Sequence, residues 1–187
     1  MSNCRFVWFT LLVIGLFSAS VKAQKHTYYF DQIESKIAFE VSHLGFLTVT
    51  GNFGEFSGTL VLEENFLRFV DCSIQVKSIY TNDKSRDNTL RSEAYLDVAT
   101  YPNIIFSTRS ISHTGQKLKV SGFLKIKNVQ KPIDLTFQSD VDQERVVLTA
   151  HTIVNRKNFE LDFGAMDGLI GQNIKVDLKL VGTKRVR

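Results

Sequence analysis

Four histidines and one crowded stretch of charged residues are the groups here whose types invite chemistry. His26, His43, His113 and His151 stand far apart. A protein metal site draws on ligands at short spacing, such as HxH or HExxH, or on a cysteine partner. None of these patterns is present, nor is a GxSxG elbow or a phosphate loop. Asp83, Arg86, Asp87, Arg91, Glu93 and Asp97 crowd a single stretch. Paired carboxylates can run acid–base chemistry, but arginines lie between these, so they read as helix caps and surface ion pairs. The expectation is a protein with no catalytic step, no metal and no cofactor.

The stretch from Ser78 to Phe106 that carries those charges is also the part least like β-strand. Asp87 or Asn88 can N-cap a short helix there, and Leu90, Ala94 and Tyr95 make one apolar stripe. Pro102 ends it, because proline disfavours α-conformation in its predecessor. On either side the chain alternates with period two, as half-buried strands do. Ile37, Phe39 and Val41 begin the series. Val49, Gly51 and Phe53 keep odd parity but Phe56, Gly58, Leu60 and Leu62 are even, which predicts a β-bulge at Gly54-Glu55. Strands follow over 66–78, 103–111 and 117–127, then one carrying Ile133, Leu135, Phe137 and Val141. The last two run over 145–155 and through Ile174, Val176, Leu178 and Leu180. Eight strands with short turns predict an all-β barrel or sandwich, with the 78–106 segment crossing one end. The lysine row Lys117, Lys119, Lys125 and Lys127 reads as a solvated outer face. A membrane barrel would need an apolar outer face and aromatic girdles, and the alternate positions carry Lys, Asp, Gln and Thr.

Arg5, the apolar run Phe6–Phe17 and the small residues up to Ala23 predict a secretory signal peptide over 1–23. Residues 24–187 are then one exported domain, periplasmic or secreted. Removing Arg5 and Lys22 leaves 21 basic against 19 acidic residues, too even a balance for a nucleic-acid reader. Cys72 is then the sole cysteine, so no internal disulfide forms. It shares parity with Val70, Ile74 and Val76 and reads as a buried apolar residue.

Several segments together resemble the YceI-like family of exported polyisoprenoid-binding proteins. They are Tyr29-Phe30-Asp31 through His43, Gly51-Asn52-Phe53 through Gly58, and Leu90-Arg91-Ser92 through Phe106. Gly122-Phe123-Leu124, Lys131-Pro132-Ile133, Asn155-Arg156-Lys157 and Gly171 through Val176 follow in the family's order. The resemblance implies an elongated, eight-stranded, lipocalin-like antiparallel barrel whose interior holds a long isoprenoid-type lipid, polyprenyl or quinone-like. The even charge balance leaves no nucleic-acid partner, and a tail that gains little on leaving a bilayer makes transient membrane contact the expectation. Parity assigns Phe39, Val41, Phe53, Phe56, Ile74, Val76, Phe106, Val120, Leu124, Leu135, Phe137, Leu148, Ile174 and Val176 to the lipid-facing interior. His43, Arg91 and Arg156 are candidates for the headgroup at the mouth. For His43 a structural hydrogen bond is the simpler reading, and Arg156 is expected to pair with a carboxylate and close the opposite end. Composition alone leaves open a barrel packed solid, serving as an interaction or stress-response module. Asn128 and Glu160 stand where the family often has glycine, and Gln172 or Asn173 where it often has an acid.

Overall fold

The computed structural model describes residues 24–114 and 117–184. The signal peptide expected over 1–23 lies outside the described residues. Eleven strands form one sheet: β1 (Lys25–Phe30), β2 (Lys36–His43), β3 (Leu47–Phe53), β4 (Phe56–Glu63), β5 (Phe66–Gln75), β6 (Ile79–Tyr80), β7 (Asn103–Thr114), β8 (Lys117–Ile126), β9 (Val129–Val141), β10 (Arg145–Asn155) and β11 (Ile170–Thr183). The helix α1 (Lys84–Arg91) lies between β6 and β7.

Every pairing is antiparallel, and β11 closes the circle. Its first part pairs with β2 from Ile170↔His43 to Lys179↔Lys36, and its end pairs with β1 at Gly182↔Phe30. β1 and β2 thus share one wall position, and β3 and β4 share the next, because β1 pairs with β4 and β2 with β3. Counted this way, the wall is a closed eight-stranded barrel. β1 has no counterpart in the strand reading of the sequence.

Local chemistry makes both breaks. Asp31 Oδ1 accepts the amides of Ile33 and Glu34 at 2.8 and 3.0 Å, turning the chain out of β1. Ser35 Oγ then accepts from Val181 N at 2.9 Å, tying the turn to β11. At Gly54-Glu55 the change of parity is real, but it is made by a strand break rather than a bulge. The helix also begins earlier than expected. Asp83, not Asp87 or Asn88, is its N-cap, accepting from Arg86 N at 3.0 Å. Asp87 is instead buried, where its carboxylate accepts from Thr81 N and Oγ1 at 2.9 and 2.6 Å.

The two ends of the barrel differ. At the end holding the β4–β5 and β9–β10 turns, Leu60, Val120, Val146 and Leu148 are 0% exposed. Tyr28, Leu62 and Leu118 pack with them in one apolar cluster. Burying each such side chain contributes about 1.5–3 kcal/mol. Toward the other end the wall splays. β9 and β10 pair only between Val146–Thr149 and Gln138–Val141, and their remaining lengths run on unpaired with each other. The edge of β3 meets only the two residues of β6. Outward positions such as Lys36, Lys119, Lys125, Thr136, Gln138, His151 and Lys179 are exposed and polar, not the lipid-facing band of a membrane barrel.

Candidate functional site

Where the wall splays, the barrel is hollow. A cavity of about 530 Å³ occupies that half, within the roughly 300–1,000 Å³ range of ligand pockets. Its wall runs along β11 from Leu180 to Ile170, roughly 33 Å of strand, or roughly 25 Å along the axis at a barrel tilt near 40°. The lining is almost wholly apolar, with every wall strand near this end contributing. Lining residues that are themselves exposed, Ser85 and Thr89 of α1 and Met166 of the loop before β11, mark the mouth.

Exposure separates the hollow half from the packed half. Phe39, Val41, Phe53, Ile74, Leu124, Ile174 and Val176 point inward, yet each is only half-buried. Inward apolar side chains in a filled core would be covered, as Val120 and Leu148 are. These seven, with Phe106, Leu135 and Phe137, line the cavity. Four residues assigned to the lipid face do not. Phe56, Val120 and Leu148 lie inside the packed cluster, and Val76 belongs to a second cluster with Ile104, Ile126, Val154, Phe159 and Leu161. Strand parity sorts inside from outside, but it cannot tell which half of the inside is empty.

Two of the lining aromatics are held flat by glycine. A Cβ on Gly51 would meet the Phe39 ring at 2.4 Å, and one on Gly122 would meet Phe106 at 2.7 Å. Absence of side chains there lets each ring lie against the neighbouring strand and keeps the lumen open.

The mouth candidates divide. Arg91 points away from the cavity, donating to the carbonyls of Lys77 and Ile79 at 2.8 and 2.6 Å. It anchors α1 to β6 rather than reaching a headgroup. In its place Arg86 lines the cavity, with Nε and Nη2 on Thr81 Oγ1 and O at 2.8 and 2.7 Å. Arg156 does pair with a carboxylate, Asp167 at 2.5 Å. It does so at the same end as α1, not the opposite one. Its guanidinium is 1% exposed and also donates to the carbonyls of Gly171, Leu161, Asp167 and Ile170 at 2.8–3.0 Å. No donor geometry is left for a ligand, so it braces the loop 156–170. Lys157 reaches the same Asp167 at 2.5 Å. Glu160 sits in left-handed backbone at φ 56°, the conformation that makes glycine usual there. In the β8–β9 turn the left-handed residue is Lys127, not Asn128.

His43 ends β2 on the cavity wall, and its Nε2 is buried without a partner among the described residues. The structural hydrogen bond expected of it is not made by that nitrogen. Nothing in the sequence could have shown this, because it depends on what β11 and β3 leave uncovered.

Cys72 lies on the wall and is buried. Burial, then the charge of Asp71, pushes its thiol from near 9 up to about 12. The folded state therefore holds that proton, a contribution fully present below pH 9 and lost as pH rises toward 12. A thiol reagent at pH 8 should label Cys72 slowly in the folded protein and at once after denaturation. Fast native labelling would place the thiol outside the wall.

A family profile described as a YceI-like domain matches residues 28–182. Protein YceI of Salmonella arizonae is 30% identical over 129 residues, covering 68% of each chain. BcnA of Burkholderia cenocepacia superposes with a TM-score of 0.77 at 19% identity, over 82% of this chain and 99% of that one. A structure described as a polyisoprenoid binding domain from Saccharophagus degradans, implicated in plant cell wall breakdown, gives 0.70 at 19% identity over 84% and 98%.

Proposed function

The chain belongs to the YceI-like family, and on that premise we propose that it binds, carries or stores a long-chain isoprenoid-type lipid in the hollow half of its barrel, without a catalytic step. The tail, polyprenyl or quinone-like, lies in the lumen. The observation that carries this reading is the cavity of about 530 Å³ walled by inward apolar side chains left half-covered. A protein packed solid describes only the other half of the barrel. The signal-peptide pattern over 1–23 supports work in the periplasm or outside the cell.

Magnitudes set where selectivity lies. One five-carbon isoprene unit gains about 3–4 kcal/mol on leaving water, at about 0.8 kcal/mol per methylene. Coming from a bilayer the tail is already in an apolar medium, and that gain nearly cancels. Exchange with membranes is then close to balanced, and polar groups near the mouth choose the ligand.

Contact with the membrane has a candidate surface. Leu44 and Phe46 of the β2–β3 turn and Leu47 at the start of β3 are 41%, 80% and 47% exposed, and Met166 and Leu169 are 44% and 41% exposed. The two loops are joined by Leu44 N donating to Leu169 O at 2.8 Å. They flank the cavity through His43, Met166 and Ile170.

The test is transfer of a fluorescent prenyl lipid from phosphatidylcholine vesicles to the protein. Wild type should withdraw lipid stoichiometrically. Phe46→Asp should slow transfer several-fold while leaving affinity for detergent-dispersed lipid unchanged. No withdrawal by wild type would contradict the carrier reading, and equal rates for the variant would remove the turn from membrane contact.

A further inference from the structure

We propose that His43 Nε2 hydrogen-bonds the oxygen of the ligand's polar end, and that this end is uncharged: a carbonyl, as in a quinone, or a hydroxyl. This rests on the carrier reading above and names the head chemistry that reading leaves open.

Two buried side-chain atoms lack a hydrogen-bond partner among the described residues, His43 Nε2 and Arg145 Nε. Arg145 sits at the packed end, where its guanidinium pairs with Glu34. His43 alone of the two lines the cavity. Buried polar atoms are almost always satisfied, and an unpaired one on a residue of a pocket wall points to a partner that arrives later. A neutral imidazole nitrogen can donate to a carbonyl or accept from a hydroxyl, depending on tautomer.

Several other polar groups of the wall are already engaged. Thr81 Oγ1 donates to Asp87 at 2.6 Å and accepts from Arg86 Nε at 2.8 Å. Thr89 Oγ1 donates to Ser85 O at 3.0 Å. Arg156 is saturated by the loop it braces. A phosphate drawn in against His43 would be buried beside apolar lining residues such as Val41, Val49 and Ile174, while the two arginines of the wall already donate, Arg86 to Thr81 and Arg156 to its loop, a cost an uncharged oxygen avoids. Near α1 it would also face the carboxylate of Asp83.

Four probes with matched tails test this: geranylgeraniol, a quinone with a four-unit prenyl tail, the corresponding oxygen-free hydrocarbon and geranylgeranyl phosphate. Competition against a fluorescent lipid should show wild type preferring the alcohol and the quinone over the hydrocarbon by roughly tenfold, because the hydrocarbon leaves Nε2 unpaired. His43→Leu should level that preference without weakening hydrocarbon binding, and His43→Gln should keep part of it. In ¹⁵N-histidine-labelled protein the Nε2 resonance should move on adding the alcohol and stay put with the hydrocarbon. A His43→Leu variant that loses all four probes equally, or keeps the wild-type ratio, overturns the role of His43. Preference for the phosphate overturns the uncharged head. Wild type that binds none of the four overturns the carrier reading and this inference together.

Discussion

In the Leu124→Trp variant, uptake of a prenyl lipid should fall at least about tenfold while the lipid-free protein melts within a few degrees of wild type. Leu124 stands between Phe106 and Lys131 on the neighbouring strands, lines the cavity and is only half-buried. An indole there enters space that no protein atom occupies. Occupying the room of a single isoprene unit removes contacts worth about two to three times the 1.4 kcal/mol that separates a tenfold change in affinity. Val120, two turns of alternation earlier on β8, is the contrast. It is 0% exposed in the packed half, so Val120→Trp must push neighbours aside at about 1–3 kcal/mol or more. In a domain of this size that is a fall of roughly 2–12 °C. Phe123→Trp, on the outer face, should leave uptake intact. Calorimetry and lipid titration on the three variants read the result. A Leu124→Trp protein as unstable as Val120→Trp would mean that the lumen is filled at both levels.

Arg156→Met should destabilise the fold by about 3–5 kcal/mol, the usual result of removing one partner from a buried, hydrogen-bonded ion pair. Four backbone carbonyls lose their donor, and Asp167 keeps only Lys157 and the amide of Phe163. Arg156→Lys should rescue little, since an ammonium cannot reproduce the planar fork. The pair also sets the acid behaviour. Hydrogen bonds from Arg156, then Lys157, then the Phe163 amide hold the Asp167 carboxyl well below its ordinary value of 3.8. A lowered folded-state pKa gives stability that is present above that ordinary value and lost as pH falls toward the folded one. Wild type should therefore lose urea resistance between pH 4 and pH 2 more steeply than Asp167→Asn. Equal slopes would show that Asp167 does not couple the loop to pH.

Much of the wall was legible in alternation alone. Strand periodicity placed Phe39, Phe106, Leu124 and Phe137 inward because every second residue must face the core once the outer face is charged. It also found the parity change at Gly54-Glu55, though not that the chain leaves one strand and begins another there. β1 escaped because its six residues, KHTYYF, alternate weakly and its partners lie at both ends of the sequence. The cap of α1 was misplaced because Asp83 and Asp87 both have the right chemistry, and only the burial of Asp87 against Thr81 decides between them. Arg91 and Arg156 look equally free as letters. Their carbonyl partners come from turns whose geometry is settled only when the barrel closes. The same holds for the boundary between filled and hollow interior, since Val120 and Leu124 are the same kind of residue on the same face of the same strand.

The central claim, a lipid in the hollow half, is tested most directly by native mass spectrometry of the protein purified from its own host without detergent, followed by organic extraction. The account predicts a complex heavier than the chain by one long-chain isoprenoid-type molecule, which extraction releases and which the Leu124→Trp variant lacks. A wild-type protein of bare mass that takes up no prenyl lipid when one is supplied would contradict it.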